Sequence, residues 1–414
     1  MGKSQTSIES ELLPGVYSGS WAVPKEQLLE VSKQKSQLKI GIPKETFFQE
    51  RRVPLTPQSV QVLVANGHQV FIEHNAGIGA HYTDADYNKV GATIKYNVAD
   101  IFKLADYILK VTPLSDLELD LLRESQTVIS AVHLGSLTPN HINTLIKKNI
   151  TAIGFEFFQS AAGTLPLVQM MSEIAGVSSI HIASELLTGK DDGQGILLGG
   201  ITGIPPAEIA IIGAGTVGFN AAKTALGMGA RVRIIDQEIY KLRRLVRELG
   251  TGVFTAVAQY NFIYDAVVNA DVVIGAAFSA GSRTPVLVTE DMVVEMKKGS
   301  VIIDVAIDQG GCVETSRVTT HDEPTFLKHD VIHFCVPNIP SRVPRSASMA
   351  VSNVLGPLLI NIGDSGGVTN LMKQNEGLKQ GIYIYRHHLT KKSLARMFGM
   401  NRNYRDIGLL IATM

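Results

Sequence analysis

From Leu38 onward, short apolar runs alternate with stretches whose apolar residues recur every three or four positions. "LKIGIP" reads as a strand. "LTPQSVQVLVANGH" reads as a helix: Thr56 suits the N-cap, Pro57 suits the first turn, and Val60, Leu63 and Val64 share a face. "QVFIE" is the next strand, followed by a polar "TDADYNKVG" helix, the strand "ATIKY", the helix "VADIFKLA" and the strand "DYILKV". "TVISAVHLG" and "ITAIGFEF" are further strands. Strands that alternate with helices in this way predict parallel βαβ units.

A second series follows "GTLPLVQMMSEIAG". The pattern predicts a long helix from Ser172 to about Leu187, then the glycine-rich loop "GKDDGQGILLGGITGIPP". "EIAIIG", "RVRIID", "GVFTA", "DVVIGAA", "SVIIDVA" and "DVIHFCVPN" are the strands of this series. From about Ser346 the chain reads as helix-rich and is expected to close the molecule. The first 37 residues form an extension: "ESELLPGVYSGSWAVP" is loop-like and "KEQLLEVSKQKSQ" could form a short charged helix. No short repeat of fixed period occurs.

"EIAIIGAGTVGFNAAKTALGMGARVRIID" carries the sharpest local signal. Gly213, Gly215 and Gly218 follow an apolar strand and open a helix. Gly213 permits the tight turn, Gly215 lets a pyrophosphate approach the backbone, and Gly218 allows close helix–strand packing. The helix N-terminus offers N–H donors to phosphates. Asp236 ends the next strand, where an acid can bond the adenine ribose hydroxyls and repel a 2′-phosphate. NAD is therefore the expected cofactor.

Composition narrows the partners. In 414 residues, Lys+Arg and Asp+Glu number 38 each, so no net charge draws nucleic acid or an anionic membrane. A small molecule is the expected partner. Two cysteines, Cys312 and Cys335, without a CxxC pair, suggest a reducing compartment, and no unbroken apolar run suggests a signal peptide or membrane span. A cytoplasmic protein is the simplest expectation.

Several residues could do chemistry. His133 ends the "TVISAVHLG" run, and ligands of open α/β sheets gather beyond the carboxyl ends of strands. It could exchange a proton near neutral pH, or simply bond a neighbouring loop. Arg52, in "QERRVPLTP", could grip a carboxylate through two parallel bonds or stay solvated, as is expected for Arg51. Asp308 follows "SVIIDVA" and could bond a cofactor ribose or a catalytic water, or initiate a turn before glycines. His321, His329, His333 and Cys335 match no zinc-ligand spacing, so no metal is expected.

Together, "GIPKE", "RRVPLTP", "GHQVFIEHNAG", "LKV", "PLVQMMSEIAG", "GQGILLGG", "GAGTVGFNAA", "DVAIDQGGCVETSR", "TTHDEPTF" and "CVPNIPSRVP" resemble the alanine dehydrogenase family. The NAD-binding domain of proton-translocating transhydrogenase is the family's nearest relative. The resemblance runs from about Leu38 into the 350s. It implies an α/β protein of two Rossmann-like, doubly wound parallel-sheet domains with the active-site cleft between them, commonly a homohexamer. The implied organisation is an extension at 1–37, a substrate and catalytic domain at 38–166, an NAD-binding domain at 167–345, and a return to the catalytic domain at 346–414. The implied reaction is reversible oxidative deamination of L-alanine with NAD⁺. By position, Arg52 matches the carboxylate-binding arginine, His133 the catalytic histidine and Asp308 an active-site aspartate. Asn338 matches an asparagine near the nicotinamide, and Ser172 a cofactor-contacting serine.

One departure stands out. The family commonly reads K-V-K-E-P where this chain reads "KVTP", so Lys110 matches the first lysine and Thr112 replaces the substrate-contacting second. Residues i and i+2 of a strand lie on one face, roughly 6.6 Å apart. Lys110 is therefore expected to lean over Thr112 and supply the missing cation. Three alternatives stay open: a dehydrogenase of another small amino acid, a transhydrogenase-like hydride donor, and a non-catalytic NAD(H) sensor.

Overall fold

The computed structural model describes residues 35–47, 49–189, 192–278 and 283–412. Two sheets organise these residues. The first contains β1 (Lys39–Ile42), β2 (Gln69–Glu73), β3 (Thr93–Lys95), β4 (Tyr107–Leu109), β5 (Thr127–Ser130) and β6 (Thr151–Gly154). The second contains β7 (Glu208–Ile212), β8 (Arg231–Asp236), β9 (Val253–Val257), β10 (Val272–Gly275), β11 (Val301–Asp304), β12 (Thr325–Lys328) and β13 (Val331–Phe334). β14 (Ile382–Tyr385) and β15 (His388–Leu389) come from the C-terminal segment and join the first sheet.

The first sheet is ordered β15-β14-β6-β5-β4-β1-β2-β3, and the second β12-β13-β11-β10-β7-β8-β9. The six parallel strands of each therefore run 6-5-4-1-2-3 in their own chain order, the doubly wound Rossmann arrangement. The strand order reverses between β1 and β4 in one sheet and between β7 and β10 in the other. Ligands of such sheets bind at those crevices.

Each sheet buries both faces, so its strands read as nearly continuous apolar runs. Leu109 and Ile129 enter one core cluster of the first sheet, and Ile108 and Val128 enter the other. Ile209 and Ile211 oppose Ala210 and Ile212 in the same way in the second. The helix Pro344–Asp364 is long and apolar enough to cross a membrane by length and composition. Its Val351, Leu355, Leu359 and Ile362 instead pack into the first core.

The structure corrects several sequence expectations. The long helix spans Pro166–Leu186, six residues earlier than expected at its start, because Pro166 enters at the first turn. Thr56 does precede the helix Pro57–Ala65, but its side chain makes no cap and instead meets the Ser352 hydroxyl at 3.3 Å. The antiparallel strands β12, β14 and β15 had no expected counterpart. The charged helix expected in the N-terminal extension lies almost wholly outside the described residues.

Candidate active site

The glycine loop sits in the second crevice. A side chain at Gly213, whose φ is 114°, would collide with the Ala276 backbone, and one at Gly218 would collide with the Gly213 carbonyl. A Cβ at Gly215 would meet nothing within 4 Å. The protein's own packing thus forbids side chains at Gly213 and Gly218 but leaves Gly215 open, as a backbone awaiting a pyrophosphate would be. Gly215 also caps the helix Thr216–Gly227 without a side-chain acceptor, leaving first-turn N–H groups available. Asp236 ends β8 beside this loop: Oδ2 accepts the Ala214 N–H at 2.7 Å and Oδ1 the Glu238 N–H at 2.8 Å. These residues fit a dinucleotide.

The first crevice is ionic. Arg52 and Glu50 come from the loop after β1 and form a buried pair: Nε donates to Oε1 at 2.7 Å and Nη2 to Oε2 at 2.6 Å. Nη1 meets the Met171 sulfur at 3.2 Å. A guanidinium has five N–H donors, so among the described residues one hydrogen on each terminal nitrogen is left over. Burial would lower the Arg52 pKa, but the charge and hydrogen bonds of Glu50, with the charges of Glu45 and Asp308, together outweigh it and the net shift is upward.

Glu50 also reaches across the cleft. Asn338 Nδ2 donates to its Oε2 at 2.8 Å, and the Ser341 hydroxyl lies 3.4 Å from its Oε1. Gln49 donates to Asp322 at 2.7 Å and accepts the His321 N–H at 2.5 Å. The loop carrying the arginine is therefore tied to the segments bordering the second sheet.

Lys110 departs from expectation. It has no exposed surface, and Nζ donates to Oε1 and Oε2 of Glu118 at 2.7 and 2.8 Å. Glu118 also completes a capping box with Ser115 on the helix Asp116–Leu121. The strand ends at Leu109, short of both Lys110 and Thr112, and the lysine's charge is engaged by the helix that follows. Thr112 instead donates its hydroxyl to Oε2 of Glu45, whose Oε1 accepts the Val111 N–H at 2.6 Å. Lys110 Nζ lies 3.6 Å from Glu45.

His133 lies three residues beyond β5 in a left-handed conformation, φ 46°. Such strain in a non-glycine residue persists only where its surroundings impose it. Here the Glu156 carboxylate accepts the N–H groups of Val132 and His133 at 2.9 Å. The ring stands edge-on to Phe47, centroids 5.5 Å apart. Asp308 lies in the short turn after β11, the strand that corresponds to β5 in the second sheet. The two residues thus occupy equivalent places in the two domains. Asp308 is itself exposed to solvent, so the rise that the surrounding protein imposes on its carboxyl is modest, and it is opposed by the N–H of Asn338 and the charges of His133 and Arg52.

Asn338, left-handed at φ 58°, donates its backbone N–H to Asp308 at 3.2 Å while its side chain holds Glu50. Ser172 is half-buried on the long helix, one residue after the Met171 that meets the arginine. Sequence reasoning missed Glu45, Glu50, Glu118 and Glu156. Glu45 and Glu50 lay within or beside "GIPKE" and "QERRVPLTP", but nothing in their spacing revealed their partners.

Known proteins agree with this architecture. Residues 41–175 match the alanine dehydrogenase/PNT N-terminal domain, and residues 179–392 match the alanine dehydrogenase/PNT C-terminal domain. Alanine dehydrogenase 2 of Staphylococcus aureus is 40% identical over 364 residues, covering 88% of this chain and 97% of that protein. A solved L-alanine dehydrogenase superposes with TM-score 0.82 at 37% identity, covering 87% of this chain and 99% of its own. A transhydrogenase structure from Sinorhizobium meliloti gives TM-score 0.72 at 25% identity, covering 86% and 99%. With both domains matched in order along most of its length, this chain belongs to the alanine dehydrogenase/PNT family.

Proposed function

We propose that this protein catalyses reversible oxidative deamination: L-alanine, NAD⁺ and water give pyruvate, ammonium, NADH and a proton. The observation that carries the reading is the buried Arg52, anchored by Glu50 with a terminal N–H pair left over, near enough to Asp308 that its charge and that of His133 both act on that carboxyl. A buried two-pronged donor selects a carboxylate.

Arg52 holds the substrate carboxylate. Bound NAD⁺ would supply the hydride acceptor, held by Gly213, Gly215, Gly218, Asp236 and Ser172, with Asn338 at its nicotinamide end. His133 takes a proton from the water that attacks the imine carbon, and Asp308 orients that water. The two domains align substrate and hydride acceptor, which contributes through proximity rather than new chemistry. We also place the enzyme in the cytoplasm, as a homohexamer.

The test is NADH absorbance with purified protein, NAD⁺ and L-alanine, glycine, L-serine or L-aspartate, and with pyruvate plus ammonium in reverse. Turnover with alanine and pyruvate supports the reading. NADH binding without amino-acid turnover would favour a sensor, for which the engaged Lys110 and the Thr112 exchange are the motivating observations.

A further inference from the structure

The first crevice holds an uneven set of buried charges. Lys110 faces two carboxylates, and both oxygens of Glu118 already receive its ammonium. Glu45 is left with two neutral donors, the Thr112 hydroxyl and the Val111 N–H, and with Lys110 at 3.6 Å. Its side chain is only 4% exposed. Arg52 does not fill the gap, because Glu50 engages it. A buried carboxylate without a cation of its own is costly, and it is relieved by a proton or by a cationic ligand.

We propose that Glu45 is the subsite for the substrate's ammonium group, so that the crevice holds an amino acid by both ends: Arg52 at the carboxylate, Glu45 at the ammonium. This deepens the dehydrogenase reading and rests on it. Both residues come from the loop after β1, and each lies within electrostatic reach of the other. The oxo acid carries no ammonium, so Glu45 sorts the two organic substrates by charge, whereas Arg52 grips both.

Other charged groups act on Glu45. Burial raises its carboxyl to about 7, with the nearby Glu50 adding to the rise; Lys110 and the Thr112 and Val111 donors oppose it. The carboxylate form, needed to hold an ammonium, therefore grows as pH rises through about 7. In the empty site below that pH, a proton occupies the place the ammonium would take.

The experiment measures KM for L-alanine, ammonium and pyruvate across pH in wild type, Glu45→Gln and Thr112→Lys. A hydrogen bond to a charged group corresponds to roughly 10–100-fold in affinity. Glu45→Gln should raise KM for alanine and for ammonium by about that factor, with pyruvate much less affected. The two rises together keep the overall equilibrium constant fixed. It should also remove the inflection near pH 7 from the alanine profile. Thr112→Lys gives Glu45 an internal cation, so KM for alanine and ammonium should rise there too.

Equal losses for all three substrates in Glu45→Gln would mean a merely structural carboxylate and overturn the proposal. So would improved alanine turnover in Thr112→Lys, since the cation would then serve the substrate's carboxylate. If Glu45→Gln fails to bind NADH or to fold, Thr112→Lys decides the question alone. Absence of turnover in wild type would overturn the dehydrogenase reading itself, a result distinct from any of these.

Discussion

Replacing Glu50 by glutamine keeps the side chain's shape and removes its charge. In the folded protein that charge faces the Arg52 guanidinium at 2.6 and 2.7 Å and accepts the Asn338 amide at 2.8 Å, with no side-chain surface exposed. Burial alone would raise this carboxyl, but Arg52 holds it at about 2, down from 4.5. A displacement of that size corresponds to about 3 kcal/mol. An independent figure agrees: breaking a buried ion pair by removing one partner costs about 3–5 kcal/mol, because the other charge stays buried. Glu50→Gln should therefore destabilise the protein by about 3 kcal/mol at neutral pH, read as a lowered urea midpoint.

The pH dependence gives a second reading of the same pair. A depressed carboxyl contributes stability that is present above its unfolded pKa and lost as pH falls through the folded value. The gap between wild type and Glu50→Gln should be full above about pH 5 and shrink toward about pH 2. Because the arginine loses its anchor, KM for alanine and for pyruvate should both rise. This pattern differs from that expected for Glu45→Gln, which should leave pyruvate much less affected. An unchanged urea midpoint at neutral pH, together with an unchanged KM for both substrates, would refute the claim that Glu50 fixes Arg52.

Other expectations follow from packing. Gly215→Ala has room inside the protein and should leave the melting temperature unchanged, yet weaken NADH binding by roughly tenfold, about 1.4 kcal/mol, seen by fluorescence titration. Gly218→Ala meets the Gly213 carbonyl and should lower the melting temperature instead. Lys110→Met leaves Glu118 and Glu45 buried without a cation and should cost about 3–5 kcal/mol of stability by denaturant titration. Turnover per folded molecule in that variant should fall far less than in Arg52→Ala. His133→Ala should lose alanine-dependent NADH formation while binding NADH normally; full activity would end its assigned role.

The strand–helix alternation made the fold class readable, because buried parallel strands print as apolar runs and their crossover helices as periodic ones. The glycine loop was equally legible, since Gly213 and Gly218 answer to local collisions that any sequence of this shape must avoid. The ionic core was not legible. Glu50 meets Asn338 across 288 positions, and no local pattern encodes such a meeting. Lys110 shows a related limit: the strand expected to carry it and Thr112 ends at Leu109, with Val111 and Thr112 in a bend, and the lysine's flexible stem turns to Glu118, eight residues on. β14 was missed because the antiparallel strand pairs with β6 from a C-terminal segment that reads as helix-rich. His133 sits beyond the strand expected to end with it, held there by Glu156.

Alanine dehydrogenation by this protein is decided by the rate of NADH appearance when L-alanine is added to the purified protein with NAD⁺. NADH formation should be saturable with alanine, reversed by pyruvate with ammonium and abolished in Arg52→Ala. An active-site titration showing NADH bound, with no alanine- or pyruvate-dependent change in absorbance, would contradict it.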